Sequence, residues 1–310
     1  DGGQYGDAGA AVAAAESMLA AGASIIDVGG ESTAPGSTEV ALEEEWRRIG
    51  VVIERLADRG ITVSVDTWKA EIARRALSAG AGMINDVTGL RGDTQMWEVV
   101  AATHVPVVVM YSKDASPRTT LEARKYDDPL ATITAFFEGV LEEASRRAID
   151  PGRFLFDPGM GAFLSADPQV SFTVLRRLPE LKQRFPQNKL LIGTSRKGFL
   201  RTVSAAEQPS GRLIASVVTA LHAAKTGADI LRVHDVAETA EALRTAFVAL
   251  DAARSEAANQ TRYVITYVDP TRPEAARYPR RVFWLFAVTS AGLGAWFLLN
   301  IAYLSVRDRR

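Results

Sequence analysis

Seven short runs rich in Val, Ile and other apolar residues recur along the chain, and longer stretches with helical periodicity lie between them. The runs fall at 24–30, 62–67, 83–88, 105–112, 154–159, 189–195 and 228–234. Most are continuously apolar, as parallel strands covered on both faces must be. The helical stretches fall at 8–21, 40–59, 69–79, 127–148, 169–185, 212–226 and 237–253. Gly22, Gly60 and Gly80 close the first three, as helix C-caps do. Repeated strand–helix units imply a parallel sheet with right-handed crossovers. Seven units with a helix in front match a (β/α)8 TIM barrel that lacks its first strand in this chain, that strand being expected upstream of Asp1. A doubly wound open sheet would give the same alternation, and the position of the polar residues separates the two.

Nearly every apolar run ends in polar residues. In order they are Asp27 to Thr33, Asp66-Thr67, Asn85-Asp86, Met110-Tyr111-Ser112, Asp157-Pro158-Gly159, Thr194 to Lys197, and Arg232-Val233-His234. Charged groups at the ends of buried strands are costly unless they meet a ligand or one another. One such Asp is readily explained as a helix cap; seven consecutive units are not. In a barrel, the C-terminal ends of the strands converge on the face where active sites are built.

The residue types are chemically coherent. Carboxylates and an Asn can pair with a flat heterocycle bearing amino and lactam groups. Arg232, His234 and Lys197 are donors suited to phosphate. Ser32, Thr33 and Gly36 form a small polar loop able to approach a phosphate. No nucleophile–base triad stands out, and three scattered histidines argue against a His-rich metal site. His104 and His222 are expected to be structural. With no cysteine in the chain, disulfides and thiolate metal sites are excluded.

Taken together, the strings resemble those of the dihydropteroate synthase family. They are Asp1-Gly2-Gly3, Ile26 to Thr33, Val65-Asp66-Thr67, Ile84 to Val87, Asp157-Pro158-Gly159, Gly193 to Lys197 and Arg232 to Asp235. Each is weak alone; all in order at barrel spacing are specific. The resemblance covers residues 1 to about 253. It implies a transferase of folate biosynthesis that joins 6-hydroxymethyl-7,8-dihydropterin diphosphate to p-aminobenzoate with Mg2+. On that resemblance Asp66, Asn85, Asp157 and Lys197 hold the pterin, and Arg232 and His234 bind the diphosphate. Thr33, Ser195, Lys197 and Phe163 line the p-aminobenzoate side. Lys197, Arg232 and His234 are the groups expected to act on the reacting atoms. The family's opening strand and its Asn-x-Thr loop, which carries the Asn that helps hold the metal diphosphate, lie upstream of Asp1.

This chain departs from the family at three places. Besides the absent opening strand, Ala34 stands where the family usually has Arg, with Arg118 or Arg124 as candidates to replace that cation. The loop after Asp157-Pro158-Gly159 reads Met160-Gly161-Ala162-Phe163-Leu164-Ser165, and Met110-Tyr111 replaces Met-His. These features resemble the sulfonamide-insensitive branch. Two other readings share part of the pattern: a pterin-dependent methyltransferase, and a non-catalytic, membrane-tethered pterin-binding module.

The C-terminal region differs in character. From 282 to 304 there is no charged residue, Trp284, Trp296 and Tyr303 lie within, and arginines flank both ends. That composition fits a single membrane span, with a buried helix as the alternative. The expected organisation is a barrel over 1–255, a linker over 256–281, a transmembrane helix over 282–304 and a basic tail over 305–310. The first part of the linker could form a short strand. The chain is then a cytoplasmic catalytic domain anchored by its last helix, and the resemblance implies a homodimer. A net charge of −1 gives no bulk field for nucleic acid.

Overall fold

The computed structural model describes residues 7–204, 206–261 and 281–307. The chain divides into two units, 1–251 and 252–310. In the first, each apolar run contains one strand: β1 (Ile26–Gly29), β2 (Val63–Asp66), β3 (Met83–Asp86), β4 (Val107–Met110), β5 (Phe154–Asp157), β6 (Lys189–Ile192) and β7 (Ile230–Leu231). All pairings are parallel and the strand order is sequential from β1 to β7. A doubly wound sheet would reverse its strand order at a switch point, so that alternative is removed. The sheet curls far enough for Arg232, just beyond β7, to reach Asp27 on β1 and Asp66 on β2. This is a TIM-like barrel. The strand expected upstream of Asp1 and the loop 1–3 lie outside the described residues.

Helices α1 (Ala8–Ala20), α2 (Leu42–Ala57), α3 (Ala70–Ser78) and α5 (Pro129–Arg146) match the predicted stretches with slightly shorter ends. The physical reasons are clear in α5. Asp128 accepts hydrogen bonds from the Leu130 and Ala131 amides at 2.8 and 3.3 Å, Pro129 occupies the first turn, and Leu130, Ile133, Phe137, Val140 and Ala144 form one buried stripe. A seven-residue helix not anticipated, α4 (Met96–Ala102), buries only Met96, Val99 and Val100, too short a pattern to show periodicity. The stretch predicted over 169–185 divides at Arg177 into α6 (Pro168–Arg176) and α7 (Leu178–Arg184). Pro179 has no amide hydrogen and disfavours a helical Leu178 as the continuation of α6.

After α8 (Arg201–Ser204) and α9 (Leu213–Thr226) comes α10 (Val236–Thr261), which runs past its predicted end at 253. Residues 256–261, expected to open a linker, are therefore helical; Ala-rich sequence favours that continuation. The short strand proposed further along and the rest of the linker, 262–280, lie outside the described residues. In the second unit, α11 (Arg281–Arg307) is one helix of 27 residues.

The strands explain where the polar residues sit. Successive side chains alternate between faces. Ile26, Val63, Val65, Ile84, Val107, Val109, Phe154, Phe156, Leu190 and Ile192 belong to the large core shared with the helices. Met83, Val108, Leu155 and Leu191, with Ile25 and Ile230 beside them, form a separate cluster, the apolar floor of the barrel interior. Two residues further along each of those strands stand Asp27, Asn85, Met110, Asp157, Gly193 and Arg232. Asp66 joins them through its register with Asn85. The interior thus changes from apolar to polar within one step of the pleat.

Candidate active site

This polar layer is held together by its own charges. Arg232 donates from Nε to Asp27 Oδ2 at 2.6 Å and from Nη2 to Asp66 Oδ2 at 2.8 Å. Asn85 Nδ2 donates to the same Asp27 carboxylate at 3.1 Å. Burial pushes the Asp66 carboxyl up to about 7; the Asp27 charge adds to that rise and Arg232 opposes it. Burial also raises Asp157, against the pull of Lys197 and of the Gly159 amide, which donates to Asp157 Oδ1 at 2.8 Å. Lys197 is lowered to about 8, mainly by burial, with Asp157 opposing and Arg232 adding. Arg232 is held above its ordinary value, first by Asp27 and also by Asp66, although burial opposes this. Two cations and three carboxylates therefore sit in one layer: Arg232 is paired with Asp27 and Asp66, and Lys197 and Asp157 attract each other without a direct ion pair.

Lys197 arrives from the loop after β6. Its Nζ donates to the Met160 carbonyl at 3.3 Å and lies 4.9 Å from the centre of the Phe163 ring. Phe163 is half-buried on the loop after β5. That loop turns through Gly159 and Gly161, both at positive φ, and a Cβ on Gly159 would run into the Tyr111 carbonyl. Ser195 is buried and accepts the His234 backbone amide at 3.2 Å, while its Oγ lies 3.0 Å from His234 Nδ1. Burial first, then Arg232 and Arg196, bring His234 down to about 4, so its ring is neutral near pH 7. If the Ser195 hydroxyl donates to Nδ1, Nε2 carries the ring proton.

The structure thus brings Asp66, Asn85, Asp157, Lys197 and Arg232 into one layer, with Ser195, His234 and Phe163 at its rim. Thr33 lies on the β1–α2 loop, where its carbonyl accepts the Thr119 amide at 3.4 Å. Asp27, which carries no role in the sequence-based expectation, is the carboxylate shared by Arg232 and Asn85. Its signal was available: it stands two residues after Ile25, as Asp157 stands two after Leu155. Asp86 is structural. It is fully buried and accepts from the Thr88 amide and hydroxyl, both at 2.7 Å, and from the Leu90 amide at 3.1 Å. His222 Nε2 lies 3.2 Å from the Leu175 carbonyl.

The two candidate replacements for a cation at position 34 part company. Arg124 donates to the Lys113 carbonyl at 2.8 Å and packs over Tyr126. Arg118 forms an ion pair with Glu31, three residues before Ala34. Among the described residues, no group of three or more His, Cys, Asp or Glu side chains is placed to hold a metal ion.

Hydrogen-bond donors and acceptors are gathered in one layer beside an apolar cluster, an arrangement that suits a flat, polar-edged heterocycle. Comparison with known proteins agrees. A family model described as "Pterin binding enzyme" matches residues 1–234. The dihydropteroate synthase of Synechocystis sp. is 36% identical over 248 residues, covering 79% of this chain and 84% of that protein. That of Escherichia coli is 39% identical over 257 residues, covering 81% and 87%. The solved structure of Xanthomonas albilineans dihydropteroate synthase with 4-aminobenzoic acid superposes with a TM-score of 0.73 at 41% identity, covering 81% of this chain and 88% of that one. The chain belongs to the pterin-binding enzymes, in their dihydropteroate synthase family.

Proposed function

We propose that this layer binds 6-hydroxymethyl-7,8-dihydropterin diphosphate and that the rim presents p-aminobenzoate to it, giving dihydropteroate and diphosphate. The observation that carries the reading is the polar layer itself, in which Asp66, Asn85, Asp157, Lys197 and Arg232 come together at one end of the strands. Asp66 and Asp157 accept from the amino and ring N–H groups of the pterin. Asn85 can donate or accept, and Lys197 donates to the ring's oxygen or nitrogen acceptors. In the resting structure Arg232 covers Asp27 and Asp66. A pterin donating to Asp66 frees that side of the guanidinium for the diphosphate.

The reaction breaks the bond between the pterin methylene carbon and a diphosphate oxygen. Its electron pair leaves on the diphosphate, and positive charge develops across the methylene and ring. Buried carboxylates at the pterin edge stabilise that charge, and Arg232 stabilises the departing anion. His234, neutral near pH 7, supplies a hydrogen-bonding ring rather than a charge, and with Ser195 donating to Nδ1 its Nε2–H is the donor. The amine nitrogen of p-aminobenzoate then attacks the methylene carbon, a step that needs positioning more than activation. The proton lost from that nitrogen passes to the diphosphate or to water.

The described residues do not make a magnesium site of their own. When bound, Mg2+ would arrive with the diphosphate and would add positive charge beside Arg232, where the leaving group develops negative charge. Chelation with EDTA is expected to abolish turnover while leaving binding of the diphosphate-free pterin intact.

Two further features belong to the same reading. Within α11, Val282–Ile301 has a mean hydropathy of 1.8, and no part of that window is buried. Its 27 residues span about 40 Å at 1.5 Å per residue, more than the roughly 30 Å of a bilayer's hydrocarbon core, so the helix serves as a membrane tether. In the first unit, Ile214 and Val218 on α9, with Phe247 and Val248 on α10, expose apolar side chains that a second copy would cover. The Phe163 loop also supports discrimination against sulfonamides, which are bulkier than p-aminobenzoate beyond the ring.

The test is direct. The full-length protein, supplied with the pterin diphosphate, labelled p-aminobenzoate and Mg2+, is expected to release one diphosphate per labelled dihydropteroate. Pterin binding without a labelled product would favour a non-catalytic binding protein instead.

A further inference from the structure

One network at the rim extends beyond the groups that touch substrate. Glu31, on the β1–α2 loop, has a side chain only 2% exposed and is paired with two cations. Lys69 Nζ donates to Glu31 Oε2 at 2.6 Å and to Glu45 Oε2 at 2.7 Å, and also to the Val40 carbonyl. Burial works to lower Lys69, but the hydrogen bonds to Glu31 and Glu45 outweigh it and hold it above its ordinary value. Thr67, next in the chain to Asp66, donates from Oγ1 to Glu45 at 2.9 Å. The Glu31 carboxylate is thereby fixed to the β2 end of the pterin floor.

The second cation on Glu31, Arg118, comes from a distant element, the loop after β4. The next residue, Thr119, makes two contacts in opposite directions. Its amide donates to the Thr33 carbonyl at 3.4 Å, and its Oγ1 lies 2.9 Å from both the Ala162 carbonyl and Asp114 Oδ2, two acceptors that share its one hydroxyl proton. On the same side, the Lys113 amide donates to the Phe163 carbonyl at 2.8 Å. One loop thus spans the gap between the loop carrying Thr33 and the loop carrying Phe163.

Arg118 also keeps a buried Nε–H with no hydrogen-bond partner. A buried donor without a partner is a cost, so this arginine is not placed for best local satisfaction. Without Arg118, Lys69 alone would face two buried carboxylates, Glu31 and Glu45, so Arg118 supplies the second positive charge of the network as well as the bridge between loops.

We propose that Arg118 and Thr119 are positioning residues for the p-aminobenzoate acceptor: they set the separation between the Thr33 wall and the Phe163 wall of its subsite. The proposal rests on the reading that those two walls flank p-aminobenzoate. Arg118 acts through Glu31, and Thr119 through the Thr33 and Ala162 carbonyls. The pterin floor lies on the far side of the rigid Lys69 link and is not moved. The same spacing decides whether an acceptor bulkier beyond its ring fits, so the pair also tunes sulfonamide discrimination.

The experiment uses the full-length protein and its Arg118→Met, Arg118→Lys, Thr119→Val and Phe163→Ala variants, each checked by thermal melting. KM is measured separately for p-aminobenzoate and for the pterin diphosphate, with a sulfonamide inhibition constant for each variant. Arg118→Met and Thr119→Val are expected to raise KM for p-aminobenzoate about tenfold, with KM for the pterin diphosphate unchanged within about twofold. The sulfonamide constant should change by a different factor from that KM. Arg118→Lys, which keeps the charge but not the fork, should recover part of the loss. If Phe163→Ala raises KM for p-aminobenzoate while both Arg118→Met and Thr119→Val leave it unchanged, the positioning role is overturned. Equal changes in both KM values would also overturn it, by showing a general loosening of the site. If Phe163→Ala has no effect on that KM, the placement of the subsite itself fails, and the proposal with it. Should Arg118→Met not fold, Thr119→Val and Arg118→Lys decide the matter on the same criteria.

Discussion

At the level of single residues, the site works by taking charges out of water and letting them pair. Lys197 shows the effect of burial most plainly, because burial brings it down to about 8. As pH rises through that value the ammonium loses its proton, and with it the donor that the proposed function assigns to the pterin. KM for the pterin diphosphate is therefore expected to climb above about pH 8 in the wild type. In Lys197→Arg, whose guanidinium stays protonated, that alkaline limb should vanish even if the absolute rate falls. A pH profile of KM for the two proteins checks this. His234 acts in the opposite pH range. Its folded value of about 4 lies below the ordinary 6.5, so between those values the unfolded chain binds the proton more tightly. The neutral ring's contribution to stability is present above about 6.5 and is lost as pH falls toward 4. Tm measured from pH 7 to 4.5 should fall more steeply in the wild type than in His234→Gln.

Among the elements, the strands and the loops that follow them divide the labour. The strands set a two-residue alternation that carries the polar side chains one step above the apolar floor, and the loops bring Lys197 and Phe163 beside them. The turn after β5 depends on Gly159, whose φ of +72° is left-handed and whose missing Cβ leaves room for the Tyr111 carbonyl. Gly159→Ala is expected to cost about 1–3 kcal/mol from backbone strain, with a further loss of activity because Asp157 is held by the Gly159 amide. Chemical denaturation and the condensation assay read the two effects separately. Much of this was legible in the residues. The seven runs located the strands, and Asp66, Asn85, Asp157 and Arg232 were visible as polar ends. Asp27 was visible too, but its pairing with Arg232 joins positions 205 residues apart, and only closure of the sheet shows it. The break at Arg177 was readable from Pro179, whereas α4 was too short to announce itself. The Glu31–Arg118 link escaped for the same reason as Asp27: two loops distant in sequence meet only because the barrel folds them over one mouth.

For the whole molecule, the two units make separate expectations. α11 presents Val282, Trp284, Leu285 and Leu298 with well over half of their surface exposed, and a hydrocarbon environment satisfies all of them at once. A protein ending at residue 261 should stay in the supernatant after ultracentrifugation with its melting transition intact, while the full-length chain floats with liposomes. The barrel, in turn, is defined by what its interior layer binds, and calorimetric titration with the pterin diphosphate tests that most directly. Asp157→Asn keeps the side-chain volume and the acceptor for the Gly159 amide, so the fold should persist, but a buried pterin N–H then faces an NH2 group or a weaker acceptor. The expected loss is about 2 kcal/mol, or roughly thirtyfold in Kd, with Tm little changed. A comparable loss is expected for Asn85→Ala. Wild-type affinity in both variants, with both folded, would place the pterin elsewhere and contradict the reading of this layer as its binding site.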